Sequence, residues 1–93
     1  MKRILAALSL AATVLAGTAI AAERTVTLAI DNMYCEACPY IVKQSLARVP
    51  GVETVAVSFE QKTATVTYDD EKTTLDALTS ATTQAGYPSK AIP

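Results

Sequence analysis

The spacing of the apolar residues after position 24 alternates between two periods, and this alternation limits the fold more than any other feature. Residues 25–30 carry an apolar side chain at every second position, which is the period of a half-buried strand. From Cys38 the apolar residues recur at spacings of three, four and seven, which places one stripe along one side of a helix. Pro39 suits the first turn of that helix, and Pro50 with Gly51 supplies its end. The helical stripe consists of Cys38, Ile41, Val42, Leu46 and Val49.

The same two periods return in the second half of the chain. Residues 52–59 and residues 63–68 both alternate, which predicts two strands joined by a hairpin at residues 60–62. A second helix follows, with its N-cap at Thr73 or Thr74 and its end at Gly86 and Pro88. Its weaker stripe consists of Leu75, Leu78, Ala81, Thr82 and Ala85. A short fourth strand is predicted at residues 89–92.

The predicted elements follow one another in the order β-α-β-β-α-β. This order is typical of the ferredoxin-like α+β fold, in which two helices cover one face of a four-stranded antiparallel sheet. A fold of this kind hosts many functions, so the function has to be argued from particular residues.

Residues 1–21 have the pattern of an export signal and not of a structural element. They contain a charged start, an apolar run and an A-x-A cleavage pattern at residues 19–21. The run is shorter than the roughly 20 apolar residues that cross a bilayer. We therefore expect cleavage after Ala21, or after Ala22, in preference to a retained membrane anchor.

The residues that remain, 22–93, are expected to form a single domain with one core. Their six basic and nine acidic side chains give a formal net charge of −3. No basic cluster remains to neutralise phosphates, which argues against nucleic acid as a partner.

The two cysteines of the chain, Cys35 and Cys38, form a Cys-x-x-Cys pair where the first strand gives way to the first helix. Unpaired amide groups and the helix dipole favour negative charge at a helix start, so they favour thiolates over thiols there. The pair is the candidate functional site, and the chain has no histidine to add to it.

General chemistry offers four roles for the thiol pair. A disulfide staple would close a very short loop, which stabilises a fold least. A structural zinc site needs about four cysteine or histidine ligands, and a thioredoxin-like oxidoreductase would be a larger domain with a parallel βαβ core. Two thiolates instead suit a soft ion such as Cu(I) or Hg(II). Hg(II) gives a neutral site and Cu(I) a charge of −1, so with no cation expected nearby the charge balance favours Hg(II).

Several short motifs spread over the domain match one known family. They are Val-Thr-Leu-Ala at 26–29, Met-x-Cys-x-x-Cys-Pro at 33–39, Val-Lys at 42–43, Val-x-Gly-Val at 49–52, Val-Thr-Tyr-Asp-Asp at 66–70, Lys-Thr at 72–73 and Ala-Gly-Tyr-Pro-Ser at 85–89. Residues 22–93 thereby resemble the heavy-metal-associated (HMA) domains, and within them the periplasmic mercuric-ion-binding proteins of the MerP type.

The resemblance implies a carrier and not an enzyme. Cys35 and Cys38 would bind Hg(II) in the periplasm and pass it by thiol exchange to cysteines of an inner-membrane mercuric transporter, as part of mercury resistance. A periplasmic Cu(I)-binding chaperone of the same fold is the alternative, and a thiol redox protein is the enzymatic alternative. The chain is expected to be a monomer without stable membrane insertion after signal cleavage.

The residues around the cysteines depart from the family pattern. The family usually has Gly-Met-Thr before the first cysteine, where this chain has Asn32, Met33 and Tyr34. Asparagine tolerates a positive φ, so the turn can be kept. Tyr34 adds a bulky ring at the rim, and Glu36 replaces a residue that is commonly small and neutral.

Other residues near the pair have simpler interpretations. Met33 is expected to fill the core and not to act as a soft ligand. Tyr87 has two equal interpretations, a shield over the thiolates or a ring that caps the second helix. Tyr34 and Tyr40 are expected to be exposed, and the acids at 69–71 are expected to form a solvated turn because a hard-cation loop needs more oxygen ligands.

Overall fold

A computed structural model describes residues 22–93, and the export signal expected at residues 1–21 lies outside the described residues. Its elements are β1 (Glu23–Ile30), α1 (Cys38–Ala47), β2 (Val52–Ser58), β3 (Thr63–Asp69), α2 (Leu75–Gln84) and β4 (Ser89–Ala91). This order confirms the β-α-β-β-α-β prediction, including the short fourth strand. Within residues 22–93, no helix combines the length and the apolar character that crossing a bilayer requires.

The four strands form one antiparallel sheet in the order β2-β3-β1-β4. The two central strands pair so that Val26 lies opposite Val66 and Leu28 opposite Ala64. These residues face the helices and belong to the core or pack against it. The other face is polar, with the hydroxyls of Thr25 and Thr67 at 3.2 Å. The ferredoxin-like α+β fold is therefore confirmed.

Both helices bury a narrower stripe than the sequence pattern predicted. In α1 the buried residues are Cys38, Val42 and Leu46, and in α2 they are Leu78 and Thr82. Members of each set are four positions apart, so each helix contacts the core along one line of side chains. A fully buried leucine such as Leu46 stabilises the fold by about 1.5–3 kcal/mol through its burial.

Several apolar residues assigned to the buried stripes or strands lie at the surface instead. Ile41 is 40% exposed because it lies one position away from the buried line of α1. Leu75 is the first residue of α2 and Ala85 is its C-cap, so neither is covered by the sheet. Phe59 follows the end of β2 and is 37% exposed. The predictions of burial for these residues were wrong.

The ends of α2 agree with the sequence signals. The hydroxyl of Thr74 accepts a hydrogen bond from the amide of Ala77 at 3.1 Å, so Thr74 is the N-cap. At the other end the amide of Gly86 donates to the carbonyl of Thr83, and the amide of Tyr87 donates to the carbonyl of Thr82. This pair of bonds is a Schellman motif, which needs a positive φ, and Gly86 has a φ of +101°.

Gly51 and Gly86 both have a positive φ but differ in their surroundings, which generates a test of the packing. A Cβ added at Gly51 would lie 2.8 Å from Cβ of Lys72, whereas one added at Gly86 would meet nothing within 4 Å. Alanine at either position carries backbone strain of about 1–3 kcal/mol, and only at position 51 does it also clash. We expect Gly51→Ala to lower the Tm by at least about 4 °C more than Gly86→Ala, measured by thermal unfolding. Equal losses would contradict the packing described around Gly51.

Candidate metal centre

Residues 31–37, which we call the cysteine loop, connect β1 to α1. The two cysteines lie in different surroundings. Cys35 lies in the loop and is exposed. Cys38 is the first residue of α1 and only 4% exposed, because its side chain joins the core. One sulfur is thus accessible from solvent while the other is anchored in the fold.

The two sulfurs are brought together in one site, as the sequence spacing predicted. The structure contains the pair as a disulfide, and the two Cα atoms are 5.2 Å apart. The joined sulfur atoms stand in for the two thiolates that the loop would present after reduction. Because the two Cα atoms lie this close, the two side chains can place both thiolates on one two-coordinate ion once the disulfide is reduced.

The start of α1 supplies electrostatic support for negative sulfur. The N-cap residue Ala37 makes no side-chain capping bond, so the first amides of the helix have no such partner. The amide of Cys35 donates to Sγ of Cys38 at 3.2 Å, while the amide of Cys38 donates to the carbonyl of Cys35 at 3.1 Å. The N-terminal end of the helix dipole acts at the same point. Both effects favour thiolates over thiols once the pair is reduced.

Two of the core residues, Met33 and Tyr87, belong to the cysteine loop and to the segment after α2. Met33 is fully buried in the core, which confirms the prediction that it fills space. Tyr87 is 9% exposed and belongs to the same core, directly after the end of α2. Its burial is compatible with both interpretations, a shield over the thiolates and a ring that caps the second helix.

The rim of the site carries the exposed aromatic residues that the sequence predicted. Tyr34 is 79% exposed and Tyr40 is 67% exposed. Glu36, between the two cysteines, is also exposed. The sulfurs therefore lie beneath an open rim and not inside a closed cage.

Lys62 brings a cation beside the ring of Tyr34, the residue before Cys35, and this neighbour was not predicted from the sequence. Its ammonium lies 3.8 Å from the centroid of the Phe59 ring and 5.8 Å from that of Tyr34. The carbonyl of Lys62 also accepts a bond from the amide of Ile30 at 2.8 Å. The antiparallel pairing of β1 with β3 explains this contact, because it puts the start of β3 beside the end of β1. The pairing of β1 with β3 could have indicated that Lys62 lies beside the end of β1.

The acidic residues at 69–71 run from the last residue of β3 into a turn, and they are not fully solvated as was expected. Asp69 is only 8% exposed, and its carboxylate accepts a bond from the amide of Glu71 at 2.9 Å. Asp70 accepts a bond from Arg24 and raises the pKa of that guanidinium, first through this bond and then through its charge. Among residues 22–93 no group of three or more histidine, cysteine or acidic side chains could hold a metal ion.

The unequal exposure of the two sulfurs predicts unequal reactivity in the reduced protein. With a limiting amount of iodoacetamide we expect Cys35 to be alkylated before Cys38, since an incoming reagent reaches only the exposed sulfur freely. Peptide mapping by mass spectrometry measures the ratio, with Cys35→Ser and Cys38→Ser as references for each single thiol. Faster labelling of Cys38 would contradict the assignment of Cys35 as the accessible sulfur.

Comparisons with known proteins agree with the geometry of this site. Residues 27–88 match the heavy-metal-associated domain. The chain is 51% identical over 89 residues to the mercuric transport protein periplasmic component of Pseudomonas fluorescens, with 96% of each chain covered. The matched length takes in the cysteine loop and the strands around it.

Solved structures share the fold as well. Oxidized MerP from Ralstonia metallidurans CH34 has a TM-score of 0.77 at 49% identity, covering 77% of this chain and 100% of that one. The mercury-bound form of MerP has a TM-score of 0.69 at 50% identity, with the same coverage of 77% and 100%. The CopZ metallochaperone has a TM-score of 0.68 at 27% identity, covering 72% and 100%. The chain belongs to the heavy-metal-associated domain family, and within it to the mercuric transport protein periplasmic components.

Proposed function

We propose that this protein is a periplasmic carrier that binds one Hg(II) through Cys35 and Cys38 and passes it to an inner-membrane mercuric transporter. The observation that carries the proposal is the pair of adjacent sulfurs, one exposed and one anchored, at the uncapped start of α1. The identity with mercuric transport proteins supports mercury as the cargo. The carrier would serve mercury resistance.

Two thiolates suit Hg(II) because both partners are soft and because the neutral complex needs no counter-charge. Tight binding and fast delivery are compatible when the ion moves by ligand exchange. A thiolate of the acceptor adds to Hg(II) as a third sulfur, and the bond to the exposed Cys35 then breaks. A second acceptor thiolate displaces Cys38 in the same way. Each step replaces one mercury–sulfur bond with another, so the ion is never released to water.

This mechanism assigns no turnover chemistry to the chain. Each delivery returns the protein to the dithiol that took up the ion, and one ion is carried at a time. A thiol redox protein would instead reduce or oxidise many disulfides per chain. The parallel βαβ core that such proteins use is not the arrangement of residues 22–93, whose sheet is antiparallel.

Residues 1–21 direct the chain to the periplasm in this proposal and are then removed. The name of the Pseudomonas fluorescens relative supports that location. The released domain, residues 22–93, works as a monomer, and its acceptor is a membrane protein that presents a cysteine pair on the periplasmic side.

A Cu(I) carrier is the second candidate, and Lys62 is the observation that favours it. A bis-thiolate Cu(I) site carries a charge of −1, which a cation at the rim stabilises, while the neutral Hg(II) site gains little. The likeness to the CopZ metallochaperone is consistent with this candidate. The two cargos therefore differ in how strongly they should depend on Lys62.

A competition titration tests the cargo and the ligands together. With reduced residues 22–93 in the presence of glutathione, we expect one Hg(II) per chain to be retained and Cu(I) to be lost. Cys35→Ser and Cys38→Ser should each abolish retention, because one thiolate cannot outcompete free thiols. The protein with its disulfide intact is the matched control; it is titrated without glutathione so that it stays oxidised, and it should bind no metal through Cys35 and Cys38. Preferential retention of Cu(I) would replace mercury with copper as the cargo.

Replacement of Lys62 separates the two cargos by charge. We expect Lys62→Gln to weaken Cu(I) binding by at most about fivefold, the ~1 kcal/mol that unit charges 4 Å apart exchange in water. Binding of Hg(II) should change less. Lys72→Gln, which removes the same charge next to Gly51 and away from the cysteine loop, is the control. Equal effects of the two variants on Cu(I) would show that Lys62 has no special influence on the site.

A further inference from the structure

The cysteine loop is hydrogen-bonded to a second loop that lies far away in sequence. The side-chain amide of Asn32 donates to the carbonyl of Gly86 at 3.3 Å, across 54 positions of sequence. The backbone amide of Asp31 donates to the carbonyl of Pro88 at 2.8 Å. Two neighbouring residues at the start of the cysteine loop are thus tied to residues 85–88, the α2–β4 loop.

The α2–β4 loop is a rigid support for these bonds. The Schellman motif fixes the backbone of Gly86 through the amides of Gly86 and Tyr87. The ring of Tyr87 is buried in the core. A carbonyl held in this way can position the group that donates to it, because it moves only when the end of α2 moves.

Asn32 is suited to make this link. Its φ is +70°, and asparagine is one of the few residues other than glycine that adopt this conformation readily. Its carbonyl accepts a bond from the amide of Tyr34 at 3.0 Å, and the next side chain, Met33, is fully buried. Two contacts therefore hold the cysteine loop just before Cys35. The buried side chain of Met33 anchors it in the core, and the side-chain amide of Asn32 bonds it to Gly86.

We propose that Asn32 is a positioning residue, whose side-chain amide holds the cysteine loop against Gly86 and thereby keeps the two sulfurs close together. A glycine at this position would allow the same turn but would offer no amide donor. The loop is ordered when the chain folds and not when an ion binds. An arriving ion therefore meets two sulfurs that are already in position. The consequence for metal binding rests on the proposed function, whereas the consequence for the sulfurs themselves does not.

The equilibrium between the dithiol and the disulfide measures this preorganisation without metal. Two glutathione thiols supply two electrons and two protons to the Cys35–Cys38 disulfide, which gives two protein thiols and one glutathione disulfide. The closer the loop holds the sulfurs, the more this equilibrium favours the protein disulfide. We expect both Asn32→Gly and Asn32→Asp to shift it about two- to tenfold towards the dithiol, which corresponds to one hydrogen bond.

The two variants and one control isolate the amide donor. Asn32→Gly keeps the positive φ but frees the backbone, and Asn32→Asp keeps the side-chain shape but adds charge, so only the loss of the donor is common to both. Gln84→Ala is the matched control, because it removes an exposed amide that bonds Ser80 within α2 at 3.2 Å. The exchange rate of the Asp31 amide, measured by NMR, should rise in both Asn32 variants and stay unchanged in the control. The Tm of Asn32→Gly should fall by only a few degrees, about the cost of one hydrogen bond, so that the variant still folds.

The results decide the proposal independently of the cargo. A shift in both Asn32 variants, with none in Gln84→Ala, supports the proposal. No shift, or a shift in Asn32→Gly alone, overturns it, since backbone freedom and not the amide would then be the cause. A competition titration of Asn32→Gly with Hg(II) should show affinity lowered about tenfold, the lower end of the cost of losing a supporting contact at a metal site. If the unmodified protein retains no Hg(II), the proposed function fails, and the glutathione equilibrium still decides the role of Asn32.

Discussion

The central position of β1 in the sheet determines what surrounds the sulfurs. Because β1 pairs with β3 on one side and with β4 on the other, the end of β1 meets the start of each neighbour. Lys62 comes to the rim from the β3 side, and Pro88 comes to Asp31 from the β4 side. Lys62, the α2–β4 loop and the cysteine loop are far apart in sequence, and strand pairing brings them together.

The division of labour between the two cysteines follows from where α1 begins. Cys38 is at the first position of the line of side chains that α1 buries, and Cys35 precedes the helix by three residues. Anchoring one sulfur in the core keeps the geometry of the site constant. Leaving the other exposed keeps a path open for an incoming thiolate. A site with both sulfurs buried would bind an ion without a route for exchange, and one with both exposed would lose the preorganisation.

The sequence predicted the element order, the N-cap in the Thr73–Thr74 pair, the core role of Met33 and the adjacency of the cysteines, because each depends on a local period or a local motif. It failed where the outcome depends on which residues meet across the sheet or at an element end. Ile41 and Leu75 are apolar and helical, yet their exposure is decided by the direction of the helix against the sheet. Lys62 and the bond from Asn32 to Gly86 depend on contacts across 28 or more positions. Strand pairing could have indicated the position of Lys62. The bond from Asn32 to Gly86 depends on the conformation of two loops.

The same proximity that serves a two-coordinate ion also favours closure of the disulfide, and the structure contains the disulfide. Holding the two sulfurs closer together therefore stabilises both the disulfide and the metal complex. It cannot by itself favour the metal complex over the disulfide. Electrostatics can, because the uncapped start of α1 stabilises thiolates and does nothing for a neutral disulfide. In an oxidising compartment the loaded state thus depends on two separate contributions, preorganisation from the supporting loops and charge stabilisation from the helix. A substitution that weakens the first should reduce disulfide formation and metal binding together. One that weakens the second should reduce metal binding but favour the disulfide, because only the thiolate form loses its stabilisation.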